Sequence, residues 1–152
     1  MKKLLAPLLC ALTVLLLGAC TSNVKITTAG LQVDLVRLQR TGGGDLQVTW
    51  RLRNPNIVAY VFTRSVHTLK LNGTGVGEFT DSTRVGVPSL NQLERTAILT
   101  PASPAARAAV DQALAQGSAA YEMDSSLWLL MMEEKTEKLR FTSRGTVPLV
   151  RE

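Results

Sequence analysis

Histidine and cysteine are scarce in this chain, and their scarcity excludes whole classes of chemistry. Among 152 residues there is one histidine, His67, and there are two cysteines, Cys10 and Cys20. A transition-metal site needs several ligands of these types, so metal chemistry of that kind is not expected. Calcium sites need closely spaced acids, and the sequence has no acidic loop of that kind. We therefore expect neither a bound metal nor a cofactor.

The sequence also lacks a catalytic constellation. A catalytic histidine needs a nucleophile and an orienting acid beside it, and nothing around Ser65, Asp81 or Ser82 resembles a nucleophile elbow. His67 is expected to be a partly buried residue at the start of a strand. The glycines of residues 73–77 open no helix and lack the Lys-Ser/Thr ending of a phosphate loop, so they indicate a hairpin or bulge. We expect a protein that is not an enzyme.

Aromatic residues are few, at 5% of the sequence, and they do not accompany its positive charges. The formal net charge is +5, to which Lys2 and Lys3 contribute. Arg51 and Arg53 share the polar face of a predicted strand, whereas Trp50 points the other way, so no stacking platform for nucleic acid is expected. A solvated face is the first interpretation of these arginines, and contact with anionic lipid head groups is the second.

The amino-terminal segment is predicted to be a signal sequence. Two lysines precede residues 4–17, an apolar run that a proline interrupts and that is too short to span a membrane as a stable helix. Residues 17–20, Leu-Gly-Ala-Cys, resemble the lipobox of bacterial lipoproteins. That resemblance implies cleavage before Cys20 and attachment of a diacylglycerol, with fatty acids such as palmitate, to its thiol. The alternative is an ordinary secretory signal cut after the same small residues.

On this interpretation the chain has a signal peptide at residues 1–19, a lipidated tether at 20–29 and one folded domain at 30–150. After cleavage about 133 residues remain, enough for one domain with a core. Two or more acyl chains hold a protein stably on a membrane, so the membrane is the expected partner. Thr21, rather than an aspartate, follows Cys20. By resemblance to Gram-negative sorting, this favours an outer-membrane lipoprotein facing the periplasm over an inner-membrane one.

Alternating apolar and polar residues predict strands along most of the domain. The clearest run is at residues 46–53 and stops at Asn54-Pro55-Asn56, where proline has no N–H for a ladder and asparagine side chains bond nearby backbone. Asn72-Gly73 suits a type I′ hairpin turn. Further strands are predicted at residues 31–35, 58–62, 66–71, 74–79, 83–87, 94–99, 119–131, 139–141 and 147–149. Short strands with regular turn signals favour an antiparallel β-sandwich.

One helix is predicted between Ser103 and Gly117. Ser103 is placed as its N-cap, Pro104 suits the first helical position, and Gly117 is placed to end it. Its apolar face is rich in alanine, which lets a helix lie close on a sheet. We expect an all-β domain with this one short helix.

The order of these elements resembles the late embryogenesis abundant type 2 family, also called the water stress and hypersensitive response domain. An amphipathic strand runs into Asn54-Pro55-Asn56, and an aromatic strand with Tyr60 and Phe62 and a hairpin at residues 71–73 follow. The resemblance covers roughly residues 30–149. It implies an immunoglobulin- or fibronectin III-like sandwich and a non-enzymatic role in protecting membranes or proteins during desiccation or related stress. It also implies that the Asn-Pro-Asn residues shape a corner.

Residues 127–132, Leu-Trp-Leu-Leu-Met-Met, are the most apolar stretch after the signal segment. Alternation assigns Leu127, Leu129 and Met131 to the core, while Trp128 and Leu130 face the opposite way, where the helix could cover them or they could be exposed. If Trp128 is exposed, it is a candidate surface for a protein or lipid partner, as are Arg51 and Arg53. A cell-envelope scaffold or a lipid- or protein-binding module is therefore the alternative function.

Overall fold

The computed structural model describes residues 28–151, so the predicted signal segment, Cys20 and most of the tether lie outside the described residues. The described strands are β1 (Gln32–Arg40), β2 (Leu46–Asn54), β3 (Tyr60–Leu71), β4 (Thr74–Asp81), β5 (Val85–Val87), β6 (Asn91–Leu99), β7 (Ser118–Leu130) and β8 (Thr136–Arg151). They are accompanied by helix α1 (Pro104–Gln116) and a 3₁₀ turn (Met132–Glu134). The prediction of a mostly β domain with a short helix is confirmed. Within residues 28–151, no helix is both long and apolar enough to cross a membrane.

The eight strands form one hydrogen-bonded sheet in the order β4-β3-β7-β8-β1-β2-β6, with β5 beside β3. β8 joins its two halves, because it pairs with β7 antiparallel as far as Pro148 and with β1 parallel from Leu149 onward. The edges approach each other where the backbone N–H of Ala102 donates to the Val76 carbonyl at 2.9 Å. The immunoglobulin-like antiparallel sandwich is not confirmed, since the sheet is mixed and curls into a half-barrel.

Two pairs of predicted strands are single strands in the structure. Residues 58–62 and 66–71 were expected as separate strands, but residues from Tyr60 onward form β3. A register shift between Phe62 and Arg64 moves the buried positions from even to odd residue numbers, which breaks the alternation without breaking the strand. The runs at residues 139–141 and 147–149 likewise belong to β8.

Helix α1 begins and ends as its capping residues predict. The amide N–H of Ala106 donates to the Ser103 hydroxyl at 3.1 Å, and Gly117 ends the helix with a φ of 74°. Val110 and Ala113 are buried in the core with the inward side chains of the strands. Of the two alternatives for Trp128, cover by the helix does not hold, because Trp128 lies on the outer face of β7 and the helix packs on the core side.

The strands define two ends of the half-barrel. At the first, which we call the Pro55 end, β1, β3, β6 and β8 begin and β2, β5 and β7 end, as their pairing registers show. At the other, the Asn72 end, lie the β3–β4 turn and the connections into and out of helix α1. The helix occupies the Asn72 end, and among residues 28–151 only loops and turns occupy the Pro55 end.

Candidate functional site

Asn54 organises the Pro55 end. Its side chain is buried, and its Nδ2 donates hydrogen bonds to the carbonyls of Val58 at 2.8 Å and Pro88 at 2.9 Å. Its Oδ1 accepts a hydrogen bond from the Asn56 backbone N–H at 3.0 Å. The Leu90 N–H in turn donates to the Asn56 carbonyl at 2.9 Å. One buried amide therefore fixes the loop between β2 and β3 against the loop between β5 and β6.

Pro55 lies where the chain enters the domain. Gly30 precedes β1 with a φ of +85°, and a Cβ at Gly30 would lie 3.0 Å from Pro55 Cγ. A larger residue at Gly30 would therefore be strained in its backbone and would crowd the proline ring. Asn56 completes the motif through its backbone, because within the described residues its buried Nδ2 has no hydrogen-bond partner.

Trp128 lies on the outer face of the sheet between two cations. The registers place Arg64 of β3 and Lys138 of β8 directly opposite it on its two neighbouring strands. Arg64 Cζ lies 5.1 Å and Lys138 Nζ 4.9 Å from the centroid of the indole ring. Both distances are in the range of cation–π attraction. We call these three side chains the Trp128 row.

A second row across the same strands is built differently. Glu122 of β7 lies between Lys70 of β3 and Arg144 of β8, at 2.7 Å from each cation. Hydrogen bonds from Lys70 and Arg144 lower the pKa of the Glu122 carboxyl, and the bond to Glu122 raises the pKa of Lys70. This row carries its own counter-ion. In the part of the chain that the structure describes, neither cation of the Trp128 row is ion-paired with a carboxylate.

Arg51 and Arg53 lie elsewhere on the sheet. Both are on β2, which β8 and β1 separate from β7. Arg51 Nε lies 3.3 Å from Glu94 Oε1, and Arg53 Nε lies 3.6 Å from Asp34 Oδ2. The structure therefore does not bring the two arginines together with Trp128, and each has an acid on a neighbouring strand.

His67 lies fully buried in the core. Its ring lies between those of Trp50 and Phe79, with centroid distances of 4.5 and 4.7 Å, and its Nδ1 is 2.8 Å from the Ser125 hydroxyl. Burial lowers the pKa of His67 from 6.5 to about 4, although the Asp81 carboxylate favours its charged form. His67 is therefore neutral at pH 7.

The residues beside His67 do not complete a metal site. Asp81 pairs with Arg95 at 2.8 Å, and hydrogen bonds from Arg95 and Thr83 outweigh burial and hold the pKa of its carboxyl below the usual value. Across residues 28–151, no group of three or more His, Cys, Asp or Glu side chains is placed to hold a metal ion.

Sequence reasoning missed Lys138 and the exposed apolar residues of the Pro55 end. The β7–β8 hairpin was not assigned a register, and folding residues 127–141 back about its charged turn would have placed Lys138 opposite Trp128. Ile57 and Leu90 stand in loops, where isolated apolar residues gave no periodic signal. Val58 was assigned to a strand, but it precedes β3 and is exposed.

Comparisons with known proteins show the fold. No family model matches the chain, and no curated protein matches it. A solution structure of a protein from Arabidopsis thaliana is 14% identical, with a TM-score of 0.52, and the match covers 78% of each chain. A crystal structure of a protein from Archaeoglobus fulgidus is 14% identical over 78% of this chain and 94% of that one, with a TM-score of 0.48. A solution structure of a candidate late embryogenesis abundant protein is 13% identical over 81% and 73%, with a TM-score of 0.40.

Proposed function

We propose that this chain is a membrane-anchored, non-enzymatic protein whose folded domain protects membranes or proteins during desiccation or related stress. The observation that carries the proposal is the Asn54-Pro55-Asn56 corner. The motif on which the resemblance to the late embryogenesis abundant type 2 family depends stands at the end of a core strand, and its first residue bonds two loops together.

The architecture suits a protective role better than catalysis. Inward side chains of the strands fill the interior with an apolar core, and His67 is desolvated within it rather than open to a substrate. Polar and charged residues occupy much of the outer face, as at the Lys70–Glu122–Arg144 row. A folded domain with a hydrated outer face can remain dispersed among membranes or proteins as water is withdrawn.

A dehydration–rehydration assay tests the protective role. The chain from Thr21 onward is dried with a labile enzyme and, separately, with dye-loaded anionic vesicles, and recovered activity and retained dye are measured. We expect more recovery than an unrelated β-sheet protein gives at equal mass. Equal recovery with both proteins in both assays would refute the proposal.

The second candidate function is an envelope scaffold or binding module, and the Trp128 row is the observation that favours it. Two cations without described acidic partners flank an aromatic ring on the outer face, an arrangement able to contact an anionic partner. Cross-linking in intact envelopes, comparing the natural chain with Trp128→Glu, tests this function. We expect a single stoichiometric partner to be captured by the natural chain and lost in the folded variant. Equal capture by both chains would exclude the Trp128 row.

A further inference from the structure

The Pro55 end exposes an unusual concentration of apolar side chains. Six large apolar residues within residues 28–151 are exposed, and four of them stand at this end of the sheet. Their exposed fractions are 84% for Ile57, 53% for Val58, 71% for Leu90 and 74% for Met132. We call these four side chains the apolar tip. Ile57, Val58 and Leu90 stand in two loops that Asn54 and Asn56 bond to each other, and Met132 stands in the β7–β8 turn. Leu90 also lines an open cavity beside Pro55. Exposed apolar residues gathered at one end of a domain mark a contact surface.

The backbone holds this tip in place at a cost to stability. Leu90 has a φ of +53°, a left-handed conformation that disfavours residues with a side chain other than Asn or Asp. The Leu90 N–H donates a hydrogen bond to the Asn56 carbonyl, and the Asn54 side chain donates to one carbonyl in each of the two loops. An exposed leucine in a strained conformation gains little from the core, which is the pattern expected of a residue that contacts something outside the domain.

The Trp128 row lies close to the turn that carries Met132, at the Pro55 end of β7 and β8. Trp128 and Lys138 pair near the end of the β7–β8 hairpin, one step along the outer face from the last pair, Leu130 and Thr136. Met132 begins the turn beyond that pair. Tryptophan and cations beside exposed aliphatic residues match the layers of a bilayer surface, where aliphatic side chains enter the acyl boundary and Trp, Lys and Arg lie among head groups.

Charge alone does not explain the surface. Three glutamates, Glu133, Glu134 and Glu137, and two lysines, Lys135 and Lys138, stand in residues 131–138, so this turn carries a formal net charge of −1. The apolar side chains therefore contribute most of the contact, and the cations of the Trp128 row orient it toward anionic head groups.

The chain enters the domain at this same end. Gly30 lies against Pro55, so the first residues that the structure describes stand at the Pro55 end. If Cys20 carries lipid, as the sequence predicts, the segment between Cys20 and Thr28 spans at most about 28 Å when fully extended. A domain held this closely by its Pro55 end presents the tip to the bilayer that holds the lipid.

We propose that the Pro55 end is a second membrane contact, in which Ile57, Val58, Leu90 and Met132 enter the outer part of a lipid bilayer and the Trp128 row lies among anionic head groups. The contact goes beyond the protective role, since it fixes an orientation on the membrane in the absence of stress. It is also separate from the lipid anchor, because the folded domain supplies every residue of it.

Depth-dependent quenching of Trp128 tests the contact. The full chain is reconstituted into vesicles of phosphatidylcholine and phosphatidylglycerol that contain a lipid brominated near the head group. Tryptophan fluorescence is compared with that of Trp128→Phe, which reports Trp50, a fully buried residue. We expect strong quenching of Trp128 in the natural chain. The variant I57S/V58S/L90N is expected to lose most of it, although its amino-terminal segment still holds it on the vesicle.

The matched control is Ile98→Ser. Ile98 is 56% exposed but lies near the end of β6 at the Asn72 end, so this change removes a similar apolar surface from the wrong place. The control is expected to keep natural quenching, and thermal melts establish that all variants are folded. Unquenched Trp128 in the natural chain, or equal quenching in the folded tip variant, would overturn the proposal. Concentration-dependent dimerisation lost in the tip variant, without quenching in the natural chain, would assign the tip to a second copy and also overturn it.

Discussion

The two ends of the half-barrel use apolar side chains in opposite ways. At the Asn72 end, helix α1 buries Val110 and Ala113 in the core, and Asp111 on the same helix is ion-paired with Arg40 of β1. At the Pro55 end, Ile57 and Leu90 stand exposed on loops that no helix covers. Apolar surface at the first end stabilises the fold, whereas at the second end it remains available for contact.

The turns at the two ends differ in how well their residue types suit the backbone conformation. The β3–β4 turn has positive φ angles at Asn72 and Gly73, the residue types that tolerate them. The β5–β6 loop has a positive φ at Leu90, a residue type that does not. The β3–β4 turn therefore satisfies the preference of its backbone, whereas the β5–β6 loop carries local strain at an exposed apolar side chain.

Disrupting the Asn72 end, which helix α1 covers, is expected to have the largest effect on stability. Val110→Asp places a charge in the core beneath the sheet, which we expect to lower the free energy of unfolding by about 4 kcal/mol or more. Thermal and denaturant melts measure this loss. Ala108→Asp, on the exposed face of the same helix, is the matched control and should cost less than about 1 kcal/mol. Similar losses in both variants would show that the helix does not close this end.

Lowering the pH should destabilise the core around His67, which lies between the two ends of the half-barrel. In the unfolded chain His67 binds a proton near pH 6.5, and in the folded chain only near pH 4, so protonation favours unfolding between these values. Stability is complete above pH 6.5 and should fall by about 3 kcal/mol as the pH is lowered to 4. Denaturant melts across this range measure the slope, and H67F/S125A should flatten it. An unchanged slope in that variant would assign the acid sensitivity to carboxylates.

Removing the side-chain amide of Asn54 is expected to destabilise the two loops of the Pro55 end. Asn54→Ala leaves the carbonyls of Val58 and Pro88 without their donor, and we expect a loss of about 2 kcal/mol of stability. Asn56→Ala removes an amide nitrogen that has no partner among the described residues, so it should cost less. Hydrogen exchange in the two loops, together with thermal melts, separates these effects. Equal losses in the two variants would contradict the bridging role of Asn54.

The smallest expected effect has the opposite sign. Leu90→Asn places a residue that tolerates positive φ in the strained position, so stability should rise by up to about 1 kcal/mol. Leu90→Ala removes the exposed side chain but leaves the strain, and its melt should match the natural chain. A drop in stability with Leu90→Asn would mean that the leucine packs against the domain and that the two ends are less different than their exposure indicates.

The sequence predicted the local elements of this fold better than their assembly. Strict alternation placed β2 and β7 correctly, and Ser103, Pro104 and Gly117 marked the helix. The register shift after Phe62 made β3 look like two separate strands in the sequence, because it reverses which residues of the strand, even or odd, face the core. The parallel pairing of β1 with β8 joins Leu38 to Leu149, and no local pattern encodes a contact between such distant residues.

The surfaces were harder to predict than the elements. The Asn-Pro-Asn corner was found because proline and asparagine have strong local backbone preferences. The partners of Trp128 depend on two strand registers, and no local sequence pattern indicates that Lys138 lies opposite Trp128. The apolar tip gathers residues from three separate loops, and only the folded sheet brings them to one end.

The position of β8 has a consequence for how the newly made protein folds. β1 precedes its parallel partner, residues 149–151, by roughly 110 residues. The two halves of the sheet therefore cannot join until residues 149–151 are available to pair with β1. Until then the half built on β1 and β2 has an open edge that can pair with other chains. Closure over so long a loop is slow, so we expect nascent chains to depend on a chaperone that shields this edge.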